Sequence, residues 1–124
     1  MITLKVDAAR QVNGSSAAGA VVIINNQQTQ LKAPLNATRD NHEAEFDALI
    51  WALQHLPASD ESMLQIYTDS KILNDALHKH YAKHYQDKVD VIDDLVVHFS
   101  LVLIDWVPEK DNLGAHNLAL QALK

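Results

Sequence analysis

The chain has 124 residues, no cysteine and a formal charge of -6 with its histidines neutral, and 48% of its residues are hydrophobic. That size and apolar content fit one core-forming domain over residues 1–124, and the missing cysteines exclude a disulfide framework and a thiolate zinc site. No apolar run approaches the roughly 18 residues that span a bilayer, and the acidic balance argues against tight nonspecific binding to nucleic acid.

Ile2, Leu4 and Val6 alternate with Thr3, Lys5 and Asp7, which reads as a half-buried strand with Asp7 at its end. Asn13-Gly14-Ser15-Ser16 is a turn signal. Residues 18–24 form a small, apolar run, read as a buried strand. Residues 28–35 alternate more weakly and give a third strand, closed by Pro34. The connections are too short for crossover helices, so these strands are expected to pair as an antiparallel meander. Asp40 and Glu43 have capping-box spacing. Ala44, Ala48, Leu49, Ala52, Leu53 and Leu56 follow at helical period, and Pro57 ends the helix. Residues 63–69 are a fourth strand. Ser70 caps a helix that turns Ile72, Leu73, Ala76 and Leu77 inward. Val89, Ile92, Leu95 and Val96 mark a further helix, residues 101–107 a fifth strand stopped by Pro108, and residues 112–123 a last helix anchored by Leu113, Leu120 and Leu123. The order is βββαβααβα. It predicts an α/β fold with a mixed five-stranded sheet, three antiparallel strands then two parallel, flanked by helices.

Asp7, Glu45 and Asp69 each sit at the edge of a different element. Carboxylates placed this way can converge at one end of a sheet, and such a cluster needs cations to hold it together; the pattern points to divalent-metal chemistry on phosphates. Taken singly, each has a plainer reading, as a solvated strand end, a surface helical residue or a cap. The segment from Lys71 to Lys88 is locally basic and can meet a phosphate backbone, though basic segments more often serve solubility. His80 and His84 have the spacing of one helical turn, but with no third ligand evident they read as a solvated face. Trp51 and Trp106 read as core.

Together the blocks resemble ribonuclease H of type 1 over nearly the whole chain. The family's strand-end Asp-Gly, turn Asn and later Gly stand here as Asp7-Ala8, Asn13 and Gly19. Its Asn, helical Glu and Ala-Leu stand as Asn41, Glu45 and Ala48-Leu49. Tyr67-Thr68-Asp69-Ser70 is intact. The last block is Trp106-Val107, Asn112 and then His116 in place of the family's fourth carboxylate. The resemblance implies the ribonuclease H-like fold and endonucleolytic cleavage of the RNA strand of RNA/DNA hybrids. It implies two Mg2+ or Mn2+ ions about 4 Å apart, with Asp7, Glu45, Asp69 and His116 as metal and catalytic residues. It implies substrate contacts at Asn13, Asn41, Lys71 and Asn112, and it makes Glu109 the nearest counterpart of a residue that aids product release. His116 removes one negative charge and offers a softer donor, which favours Mn2+ over Mg2+; its nitrogen can also ligate an ion or act as a base near neutral pH. The expected protein is a soluble, cytoplasmic monomer whose partner is a hybrid duplex and not a membrane. Two other readings stay open. One is a nucleic-acid-binding or protein-interaction module of the same fold with weakened or lost catalysis, favoured by His116. The other is a nuclease of this fold acting on DNA or structured RNA.

Overall fold

The structure, a computed structural model, describes residues 1–57 and 63–123. β1 (Ile2–Arg10), β2 (Ser16–Ile24) and β3 (Gln27–Leu35) form the antiparallel meander, with Leu4 opposite Val22 and Asp7 opposite Gly19. Asn25 and Asn26 both take positive φ, 52° and 64°, as a two-residue hairpin turn matched to strand twist requires. α1 (Asn41–Gln54) returns the chain to β4 (Met63–Thr68), which pairs parallel with β1. α2 (Lys71–Lys79) and α3 (Gln86–Val96) precede β5 (Leu101–Trp106), parallel to β4. A 3₁₀ turn, Glu109–Asp111, leads into α4 (Leu113–Ala122). The sheet order is β3-β2-β1-β4-β5, so the expected mixed sheet and element order are both found.

The sheet divides the molecule. Leu4, Val6, Ala20 and Val22 face the main core with Phe46, Leu49, Ile66, Leu73, Val89 and Ile92. The alternate residues, Asp7 and Gly19 among them, face α4, because neighbouring residues of a strand point to opposite sides. α4 lies very close to β2. A Cβ on Gly19 would stand 2.2 Å from the Ala115 carbonyl oxygen and 2.5 Å from the Ala119 nitrogen. The absent side chain is what lets the helix backbone reach the strand, and that contact sets the height of His116 above Asp7.

Five local expectations change. Asp7 does not end its strand; β1 runs on through Ala8, Ala9 and Arg10 because they pair with β2 as far as Ser16. Leu113, Leu120 and Ile72 are exposed, since the close approach at Gly19 turns Ala115, Leu118 and Ala119 inward instead, and α2 buries Leu73, Ala76 and Leu77. Trp51 joins the margin of the core, but Trp106, at 40% exposure, does not. His80 and His84 share no helical turn: α2 ends at Lys79, and His80 takes a left-handed φ of 54° and bonds Asp93. The cap of α1 is half a capping box. Asp40 accepts the Glu43 N–H at 2.8 Å, while the Glu43 carboxylate turns back to the N–H of Arg39, not of Asp40. No helix among the described residues is long and apolar enough to cross a membrane.

Candidate metal centre

Asp7 comes from the middle of the sheet, Glu45 from the second turn of α1 and Asp69 from the residue after β4. Parallel pairing of β1 with β4 brings the first and third to the same end of the sheet. Asn112, buried at 1% exposure, donates from Nδ2 to the Val6 carbonyl at 2.9 Å and so ties the start of α4 to β1 beside Asp7. The Trp106 indole N–H donates to the Asp69 carbonyl at 3.0 Å and fixes that corner.

The result is a triad. One oxygen from each of Asp7, Glu45 and Asp69 lies within 4.8 Å of the others, in a cavity of about 440 Å³ also lined by Arg10, Asn41, Glu109 and His116. Glu45 Oε2 is enclosed and has no hydrogen-bond partner. Burial first, then the charges of Asp7 and Asp69, push the Glu45 carboxyl well above the ordinary carboxylate range. Burial and the charge of Asp7 push Asp69 up to about 6. Like charges gathered and partly desolvated in this way are unfavourable until a cation joins them. The donors are hard oxygens, and one of them is orphaned, so the residues present fit a divalent ion of the Mg2+ or Mn2+ kind.

His116 meets the cluster from above. Its Nδ1 lies 2.9 Å from Asp7 Oδ2 and 3.3 Å from Glu109 Oε1. An ionised carboxylate only accepts, so Nδ1 carries a hydrogen in these contacts. The other Asp7 oxygen accepts the Ala8 N–H at 2.8 Å. The motif order puts His116 beside the carboxylates but does not announce this bond to one of them.

The remaining expected residues separate. Asn41 is exposed and lines the cavity one helical turn before Glu45. Lys71 stands at the cavity's flank, its ammonium 4.8 Å from the centre of the Trp106 ring. Asn13 lies on the β1–β2 turn, where its Oδ1 accepts the Ser15 N–H at 2.9 Å, and it does not line the cavity. Asn112, expected to touch substrate, is enclosed and serves the scaffold. Arg10 and Thr38, which sequence reasoning passed over, meet across 28 positions with no local pattern to announce them.

A sequence profile described as reverse transcriptase-like matches residues 5–122. The chain belongs to this family. The reverse transcriptase-like chain is also 39% identical over 129 residues to an Enterococcus faecalis protein named "Putative hydrolase EbsB", covering 100% of this chain and 95% of that one. Its fold matches ribonuclease H1 of the halophilic archaeon Halobacterium salinarum with a TM-score of 0.89 at 24% identity, over 98% of this chain and 96% of that one. It matches LC11 ribonuclease H1, solved in complex with an RNA/DNA hybrid, with a TM-score of 0.84 at 20% identity, over 99% and 96%. Family and ribonuclease H-like fold are therefore both as the sequence motifs implied.

Proposed function

We propose that this protein is a metal-dependent nuclease that hydrolyses the RNA strand of RNA/DNA hybrids. The observation that carries the reading is the triad: three carboxylates from three elements, all within 4.8 Å, with one enclosed oxygen unpartnered. The hybrid bound to the LC11 enzyme of the same fold, and the hydrolase name of the Enterococcus relative, support the substrate and the reaction class.

Asp7, Glu45 and Asp69 would hold the ion or ions. Such an ion would supply charge neutralisation at the phosphate and activation of water. The protein's own groups do the rest. His116, with Nδ1 engaged by Asp7 and Glu109, can ligate or accept a proton at Nε2. Its softer nitrogen and the missing fourth carboxylate favour Mn2+ over Mg2+. Asn41 offers an amide to a ribose 2′-hydroxyl, Asn13 does so from the turn, and Lys71 meets a phosphate. The 2′-hydroxyl contacts reject DNA, and groove shape rejects duplex RNA.

A second reading, a hybrid-binding module with weak catalysis, is favoured by the 2.9 Å bond from His116 to Asp7, which occupies an oxygen a metal would use. Cleavage of labelled hybrid, duplex DNA and duplex RNA in Mg2+ and in Mn2+ separates the readings. The nuclease reading predicts hybrid-selective cleavage, faster in Mn2+, that Asp69→Asn abolishes. Cleavage absent in both ions and restored by His116→Asp would establish the second reading. Cutting of duplex DNA or duplex RNA in preference to hybrid would move the assignment to another nuclease on this fold.

A further inference from the structure

We propose that Arg10 anchors a backbone phosphate of the bound nucleic acid beside the carboxylate cluster, an inference that rests on the nuclease reading. Arg10 ends β1 and lines the same cavity as Asp7, Glu45 and Asp69. Thr38 pins its guanidinium. Nε donates to Thr38 Oγ1 at 3.1 Å and to the Thr38 carbonyl at 3.3 Å, and Nη2 donates to that carbonyl at 2.9 Å. Thr38 is itself held in place. It is 6% exposed, its N–H donates to the Gly14 carbonyl at 2.9 Å, and its hydroxyl lies 2.7 Å from Ser16 Oγ. The Ser16 hydroxyl hydrogen goes to the Gly14 carbonyl, so the Thr38 hydroxyl donates to Ser16 and accepts from Arg10.

Every acceptor in this bracket is neutral. Among the described residues no carboxylate pairs with Arg10, and Nη1 has no protein acceptor. The charge is permanent, because a guanidinium does not deprotonate in a protein. A strut between the β1–β2 turn and the segment before α1 would need only a neutral donor. A full cation, held rigid by neutral groups with part of its fork unused at a cavity wall, matches an incoming phosphate, which takes two parallel N–H bonds. Asn41 on the same wall offers hydrogen bonds to the adjoining sugar.

The test is binding of a fluorescent RNA/DNA hybrid against KCl concentration, in an Asp69→Asn background that does not turn over. Arg10→Gln should bind about tenfold more weakly and flatten the slope of log K against log[KCl] by about 0.9, the release from one phosphate. Arg10→Lys should keep the parent slope. A parent slope in Arg10→Gln would overturn the proposal while leaving the nuclease reading intact; no binding of hybrid by the background protein would overturn both. A second measurement needs no substitution at Arg10. Phenylglyoxal should modify Arg10 in the free protein and be blocked there by saturating hybrid, with exposed Arg39 as the internal reference. Undiminished labelling of Arg10 under bound hybrid would overturn the proposal.

Discussion

Asp69 carries the sharpest consequence of charge crowding. Its carboxyl, ordinarily 3.8, stands at about 6 in the folded protein. A folded state that holds its proton more tightly than the unfolded state is favoured at low pH, and that contribution is lost as pH rises from about 4 through about 6. The metal-free parent should therefore melt lower at pH 7.5 than Asp69→Asn, and the gap should close near pH 4.5. Calorimetry without and with Mn2+ checks this, because a bound ion stabilises the parent by mass action and the variant less; a variant that melts lower than the metal-free parent at pH 7.5 would refute it. Asn112→Ala belongs to the same scale. It leaves the Val6 carbonyl unpaired in the interior, and urea unfolding should show a loss of about 1–3 kcal/mol. The three carboxylates were legible in the sequence because each falls beside a strong element signal. The Arg10–Thr38 bracket was not, since nothing within a few residues of either predicts a meeting across the β1–β2 hairpin and β3. Nor was Trp106: an aromatic at a strand end reads as core unless one sees that β5 is an edge strand and that its indole N–H reaches Asp69.

Elements, not single side chains, place the centre. β1 and β4 run parallel, α1 lays Glu45 across their ends, and α4 brings His116 down onto Asp7. The contact of α4 with Gly19 is the tightest of these dependencies. Gly19→Ala puts a methyl into helix backbone that cannot shift cheaply, so α4 must lift. The expected loss of stability is about 1–3 kcal/mol, with a longer His116–Asp7 distance. Chemical denaturation and the His116 imidazole NMR signals report the two effects, and a variant with parent stability would show that the helix has room to move. Alternation in β1, the apolar run of β2, the Asp40 cap and Ser70 gave the elements from sequence, since each is a local effect. The true end of β1 was hidden because Ala8 and Ala9 have little strand preference of their own; pairing with β2 decides it. The inward face of α4 was hidden for the same kind of reason. Leucines dominate the helix's apolar pattern, yet the strand opposite offers a glycine, and Ala115 and Ala119 dock there.

The whole molecule carries a charge of -6 and concentrates three carboxylates at one end of its sheet, so it repels a phosphate backbone until cations arrive. Among the described residues, Arg39 and Lys88 are engaged by carboxylates of the protein itself, Glu43 and Asp47. Hybrid binding should accordingly show a modest salt dependence, no steeper than about -4 in log K against log[salt], as expected for about four phosphate contacts; a much steeper slope would reveal a cationic surface beyond Arg10, Lys71, Lys79 and Lys83. The account stands or falls on whether the triad cuts RNA. The direct measurement is single-turnover cleavage of an RNA strand labelled at its 5′ end and annealed to DNA, in Mn2+, by the parent and by Asp7→Asn, Glu45→Gln and Asp69→Asn proteins prepared identically. We expect internal cuts ending in 3′-hydroxyls from the parent and a fall of at least about 100-fold in each variant. Equal cleavage by parent and variants, or none by a folded, Mn2+-binding parent, would contradict it.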